Sequence, residues 1–423
     1  MAARALPLLL TRRLPFFYGW VILGCVCCAG FSRQGGAVAT LTIFVEPMTQ
    51  QFGWSRTAIS GAVSLGGLLA AVTAPALGRL LDRKGARAVL CWAVLLTGLA
   101  NAALSATTSL LTFYVLFSIA RTNFAGPFDL GIYGAVNNWF VTRRTLTTAI
   151  ATVAQFVGLV CLPLIAAFGI AHGGWRTGWL AVGLAVLAVG FVPTWLLLVR
   201  APEDIGLVPD RHIAPTAPAT ATPPLPEPAF TRAEALRTPA FWLLSLFTLF
   251  AYPVQAGVSL HQAPFLIERG IAPAVAATVI STFSFMSGVS SLAFGFFPRA
   301  WPIRYALVLT AALQLIGVLI MLGVYAPPQA YLAASAFGAG IGGLLTMLPL
   351  AWADYYGRRS FGAIRGLALT IQVLAQASGP LLSGILRDRT GTYDLPLECF
   401  AALSAVAMLA AMAAWPPRSA TAP

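Results

Sequence analysis

Charge is what this chain has least of. Only 9% of its 423 residues are Asp, Glu, Lys or Arg, against about 25% in a soluble globular domain. Lysine is nearly missing, with Lys84 alone beside 25 arginines. Histidine is scarce as well, three in all, and none stands in metal-ligand spacing with cysteines or acids. The six cysteines, Cys25, Cys27, Cys28, Cys91, Cys161 and Cys399, lie in or at the start of apolar runs and give no disulfide framework. They read as buried free thiols that pack as small apolar groups. No G-x-x-x-x-G-K-[ST] loop is present to cradle a nucleotide. An enzyme is therefore not expected, no cofactor or metal is called for, and any energy source should be an ion or substrate gradient. The net charge of +13 could suit nucleic acid, but the basic residues come singly or in pairs between apolar runs. That pattern marks membrane topology instead.

What is abundant is apolar sequence, 58% of the chain, with a mean hydropathy of +0.82. A bilayer crossing needs about 20 mostly apolar residues. Twelve stretches qualify, near 17–46, 57–81, 87–106, 109–137, 146–170, 177–199, 239–266, 273–297, 303–325, 329–353, 364–386 and 394–415. The expected fold is an all-α membrane protein of twelve transmembrane helices in the lipid bilayer. Residues 1–199 form a first six-helix bundle and 239–423 a second. Between them, 200–238 contains PTAPATATPPLPEPA, a composition that makes an extended linker. The basic leader with Arg4, Arg12 and Arg13 precedes a span too long for the apolar core of a signal peptide, so a retained first helix is expected.

Alternating the spans puts the N-terminus, the 82–87 loop, Arg143 and Arg144, the linker, Arg299 and Arg304, Arg358 and Arg359, and Arg418 on one side. The opposite side receives only Arg56, Arg176, Arg269, Arg387 and Arg389. The positive-inside rule therefore assigns both termini and the linker to the cytoplasm.

The halves also echo each other. Gly53 and Gly78 meet Gly270 and Gly295 at one offset of 217, and WFVTRRT at 139–145 is echoed by YYGRRS at 355–360. Three matches at nearly one offset read as two related six-helix halves, a recurring transporter plan.

The stretch GRLLDRKGAR at 78–87 resembles the loop signature of the major facilitator superfamily through Gly78, Asp82, Arg83, Gly85 and Arg87. Gly78 would permit close helix approach, and Asp82 would pair with basic groups of a neighbouring helix to hold the cytoplasmic side closed. Ala86 stands where many members carry a basic residue, and Arg299 stands where a second copy would have its acid. FFYGW, QFGWSRTAIS, RAPEDIGLVPD and YYGRRSFGAIRGL are similar to a bacterial branch related to monocarboxylate transporters and oxalate–formate exchangers. Those exchangers carry a basic residue in span eleven, whereas LALTIQVLAQASGPLLSGIL is uncharged, which counts against oxalate. The resemblance implies alternating access, with spans one, four, seven and ten lining the path. It also implies a monomer in a bacterial cytoplasmic membrane.

Ionisable groups deep in a bilayer cost about 2.5–3.5 kcal/mol on insertion scales and usually face a cavity. Arg33 lies about 22 Å along span one at 1.5 Å per residue, and Arg121 is at similar depth in span four. Two guanidiniums at one depth suit a carboxylate. A helix–helix contact satisfied by carbonyls, by Gln34 or, for Arg121, by Asp129 is the plainer alternative for each. Asp129, a rise of about 12 Å beyond Arg121, is either a proton carrier or the neutraliser of Arg33 or of a loop arginine. His261 is either a packed residue or a second proton-coupling candidate. Asn123, Tyr133, Tyr252, Gln255, Gln372 and Gln376 either orient a substrate or glue helices together. The expectation is a secondary transporter of a small organic anion, a monocarboxylate foremost, with H+ as a candidate co-substrate. An exporter of amphipathic or drug-like compounds and a membrane sensor that moves nothing are the rivals.

Overall fold

The computed structural model describes residues 2–210, 228–298 and 301–417, and among them there are helices and no strand. Most of the proline-rich part of the linker, Arg299 and Arg418 lie outside the described residues.

After a short amphipathic helix α1 (Ala2–Arg13), the first crossing is interrupted. Helix α2 (Gly19–Arg33) runs into one 3-10 turn at Gln34–Gly36, Ala37 is extended, and α3 (Val38–Phe52) resumes. Two successive glycines remove the side chains that would hold the helix together, and the Thr40 hydroxyl donates to the Gln34 carbonyl at 2.8 Å to stabilise the break. Helix α4 (Arg56–Leu104) holds 49 residues, about 73 Å at 1.5 Å per residue, over twice the thickness of a bilayer core. Its helical geometry breaks at Gly85 (φ 82°, ψ 167°), a conformation glycine alone adopts freely, so two crossings meet there.

The fourth crossing is split again: α5 (Leu110–Ala125) ends at Gly126, and α6 (Pro127–Trp139) starts on a proline that lacks an N–H. Helix α7 (Arg144–Val186) breaks at Gly173 and Gly174, and a π-turn at Leu187–Phe191 joins it to α8 (Val192–Leu197). Beyond the linker come α9 (Arg232–Leu236), α10 (Pro239–Glu268), α11 (Pro273–Gly295), α12 (Ile303–Leu322), α13 (Pro327–Tyr356), α14 (Phe361–Thr390) and α15 (Asp394–Ala413). Nine helical runs among the described residues are long and apolar enough to span a membrane. Splitting two of them at their glycines and adding α5 with α6 gives the twelve crossings.

Contacts divide the chain into two units. The first is Met1–Ala229 with Gly357–Thr370, so it includes the opening turns of α14. In it α2 packs on α6 and α7, and α4 packs on α5, α6 and α7. Phe44 stacks on Trp179 with ring centroids 3.8 Å apart, and Phe17 and Tyr18 close around Trp139 at the other end. The second unit is Phe230–Tyr356 with Ile371–Pro423. There α13 packs against α11 and α12, α15 packs against α10 and α12, and Val318, Phe337 and Phe400 stand in the core.

The acids in the segment after α8 divide between backbone and side-chain partners. The buried Asp210 carboxylate accepts from the Val141, Thr142 and Arg143 amides at 2.5, 2.7 and 2.7 Å, the orphan donors that lead into α7. Nearby Glu203 pairs with Arg358 at 3.1 Å on a half-exposed surface. Asp210→Ala is expected to lower the thermal midpoint of the purified protein, a loss of about 1–2 kcal/mol. Glu203→Ala should cost less than about 1 kcal/mol by the same measurement.

Candidate functional site

The breaks in the first and fourth crossings leave main-chain carbonyls without a helical partner, and two arginines take two of them. Arg33, at the end of α2, donates through Nε to the Phe124 carbonyl at 2.9 Å, one of the last carbonyls of α5. Arg121, on α5, donates to the Gly36 carbonyl at 3.4 Å in the break of the first crossing. The contact is reciprocal, because each break receives the arginine of the other helix. It needs Gly36: a Cβ there would lie 2.3 Å from the Ala120 carbonyl oxygen. The carbon at the head of each guanidinium lies 4.6 Å from the centroid of the Phe124 ring, so the two heads are no more than about 9 Å apart.

The acids are unequally shared. Asp129, in the first turn of α6 and only 3% exposed, accepts from the fully buried Arg365 at 3.0 Å and lies 3.8 Å from Arg33. Arg33 also donates to the Gln155 side-chain oxygen, and Gln155 in turn donates to the Tyr133 hydroxyl at 3.3 Å. That hydroxyl sits 3.3 Å from Thr152. Among the described residues no carboxylate comes within ion-pair distance of Arg121, and its Nε is buried without a partner. Arg33 and Arg365 thus share one carboxylate, and Arg121 stands near Arg33 across the Phe124 ring with none in reach.

Arg365 corrects the sequence reading, which counted span eleven as uncharged from Leu367 onward. Gly357 (φ 73°) follows the end of α13 and α14 starts at Phe361, which places Arg365 in its second turn. The signal was present in YYGRRSFGAIRGL as an arginine six residues beyond the Arg358–Arg359 pair. Gln155 was also missed; a glutamine in an apolar run carries no charge to draw attention.

The loop signature behaves differently from expectation in its partner. Asp82 accepts from the backbone amides of Gly362 and Ala363 at 2.7 and 2.8 Å, rather than from basic side chains. It caps the N-terminus of α14, where unpaired N–H groups and the helix dipole favour a carboxylate. Gly78 allows this, since a Cβ at that position would lie 2.0 Å from the Gly362 carbonyl oxygen. Arg87 donates to the Trp195 carbonyl at 2.6 Å, and Arg83 is exposed.

The remaining sequence-selected residues spread out. Asn123 is buried on α5 and donates to Ile119 of its own helix at 2.9 Å. In the second unit Tyr252 and Gln372 are buried, and Gln376 donates to Gln255 at 3.0 Å. His261 Nδ1 lies 3.3 Å from the Tyr393 hydroxyl, beside a cavity of about 10 Å³ that also touches Gln262 and Ser383.

The sequence profile of the Major Facilitator Superfamily matches residues 22–380. The chain belongs to that superfamily. Mouse monocarboxylate transporter 11 is 26% identical over 89% of this chain and 83% of its own length. The membrane sensor protein UhpC of Salmonella typhimurium is 30% identical, over 51% of this chain and about half, 49%, of the sensor. The oxalate:formate antiporter of Oxalobacter formigenes is 24% identical over 60% of this chain and 57% of the antiporter. Among solved structures, the proton:xylose symporter XylE aligns with a TM-score of 0.73 at 13% identity, covering 93% of this chain and 94% of that one. The chain is thus a multi-pass membrane protein with the major facilitator fold, a fold of transporters.

Within that superfamily fold, removing one partner of a buried ion pair strands the other. Asp129→Asn and Arg365→Met should each destabilise the protein by about 3–5 kcal/mol. The double variant should recover part of the loss, a coupling of about 0.5–3 kcal/mol. Thermal midpoints of the four purified forms check this; strictly additive losses would show that the two side chains do not interact.

Proposed function

We propose that this protein is a secondary active transporter of a small organic anion, foremost a monocarboxylate. It would work by alternating access in a bacterial cytoplasmic membrane, as a monomer with both termini inside the cell. The observation that carries this reading is Arg121, a half-buried guanidinium whose Nε is buried without a partner, with no carboxylate in ion-pair distance among the described residues and a second arginine beside it. Burial makes an unpaired charge costly, and a carboxylate from outside offsets that cost with charge-assisted hydrogen bonds. The 89% coverage by a monocarboxylate transporter supports the same substrate class.

In this reading residues 1–199 and 239–423 are the two working halves and 200–238 is their linker. Arg121 and Arg33 hold the carboxylate, with Asn123, Tyr252, Gln255 and Gln372 as the polar groups that orient its remainder. Gly78, Asp82, Arg83, Gly85 and Arg87 form the gating loop. Asp129 serves as counter-ion to Arg33 and Arg365, which leaves His261 as the residue proposed for proton coupling.

A second reading has a specific observation behind it. The match to UhpC favours a protein that binds its ligand and reports it without moving it. Uptake of labelled short-chain carboxylates into proteoliposomes separates the two. The transporter reading expects accumulation that falls at least tenfold in Arg121→Ala, since loss of a charge-assisted pair costs about 1.5–3 kcal/mol. Binding without accumulation would favour the sensor. Uptake unaffected by Arg121→Ala would remove the arginine from the site.

A further inference from the structure

Phe124 belongs to no group that the sequence reading singled out, yet three contacts of the arginine pair converge on it. Its carbonyl takes the Nε of Arg33 at 2.9 Å, and its ring lies 4.6 Å from each guanidinium carbon. The reason is legible in RTNFAGP. Arg121 and Phe124 stand three residues apart, hence on one face of α5. Gly126 and Pro127 then stop the helix, so the carbonyl of Phe124 is among the last four, which have no intrahelical donor. Those carbonyls carry the negative end of the helix dipole, and Arg33 arrives there from α2.

Two guanidiniums this close repel each other, and among the described residues only Arg33 of the two has an acid within reach. An aromatic face presents negative electrostatic potential to a cation, and the effect grows when water is excluded. One ring within 4.6 Å of both heads offsets part of that repulsion without neutralising either charge. A carboxylate side chain in the same place would quench the pair, and an aliphatic one would leave the repulsion unopposed. An aromatic ring is the side chain that draws two arginines together without adding a negative charge that would neutralise them.

We infer that Phe124 is the positioning residue of the anion site, a cation–π platform that sets the spacing of Arg33 and Arg121 to share one carboxylate. This rests on the transport reading given above, and it adds a residue and a physical cause to it. The ligand class it selects is a compact anion with one planar carboxylate, each of whose oxygens accepts from one arginine. A neutral isostere, such as the matching primary amide, gains nothing from the pair.

The experiment is uptake of labelled acetate, propionate and lactate into proteoliposomes by wild type, Phe124→Tyr and Phe124→Leu, with a fluorinated phenylalanine series at position 124. Tyrosine keeps the ring and should hold KM within about twofold of wild type. Leucine keeps the apolar bulk and loses the ring, and should raise KM about tenfold while the maximal rate changes less than about threefold. Successive fluorines withdraw density from the ring face at nearly constant shape, so KM should climb stepwise with their number. An unchanged KM in Phe124→Leu, or a flat fluorine series, overturns the inference while leaving the transport reading intact. Loss of maximal rate alone, equal in the leucine and tyrosine variants, assigns Phe124 a packing role and also overturns it. Failure of wild type to move or bind any of the acids overturns the transport reading, and this inference falls with it.

Discussion

The reciprocal contact between two broken helices is the constraint on which the candidate site depends. The first crossing opens at Gln34–Gly36 and the fourth at Gly126–Pro127. Each break frees carbonyls, and each is filled by an arginine from the other crossing. Irregular backbone at membrane depth is tolerated only where it is buried in protein or lines a cavity, and half-helices in transporters are recurrent ligand sites. In the second unit α10 and α13 run through their prolines, Pro253, Pro264 and Pro349, without a comparable break. The positive charge and the backbone irregularity therefore belong to the same unit.

Charge balance follows from that placement. Asp129 satisfies Arg365 directly and reaches Arg33 at longer range, while Arg121 faces carbonyl and ring rather than acid. Two of the three arginines thus have a built-in counter-ion and one does not. The Asp129–Arg365 pair links α6 to the opening turns of α14, and Asp82 caps the same turns from the end of the second crossing. Two acids from different helices hold one helix start, one through a side chain and one through amides. The device needs Gly78 and Gly362 to meet backbone to backbone.

Much of the fold was legible because hydropathy and length are local quantities. The spans are written in short windows, whereas the breaks at Gln34–Gly36 and Gly126–Pro127 lie inside spans that read as continuous. The site was legible only as a set of charges out of place. Arg33, Arg121 and Asp129 stood out because nothing lipid-facing explains them. Arg365 escaped although span eleven was drawn from residue 364, because the stretch weighed for charge began only at Leu367. The partner of Asp82 was invisible for a different reason: backbone amides have no letter in the sequence. Phe124 is one of 26 phenylalanines and is distinguished only by what surrounds it.

The central claim is that this protein holds a carboxylate by charge. Calorimetric titration of the purified protein with acetate, propionate and lactate, each against its primary amide, tests that claim with no assumption about transport. The account predicts that at least one acid binds and that its amide, equal in shape but uncharged, does not. Equal binding of acid and amide, or no binding of any acid, would contradict it.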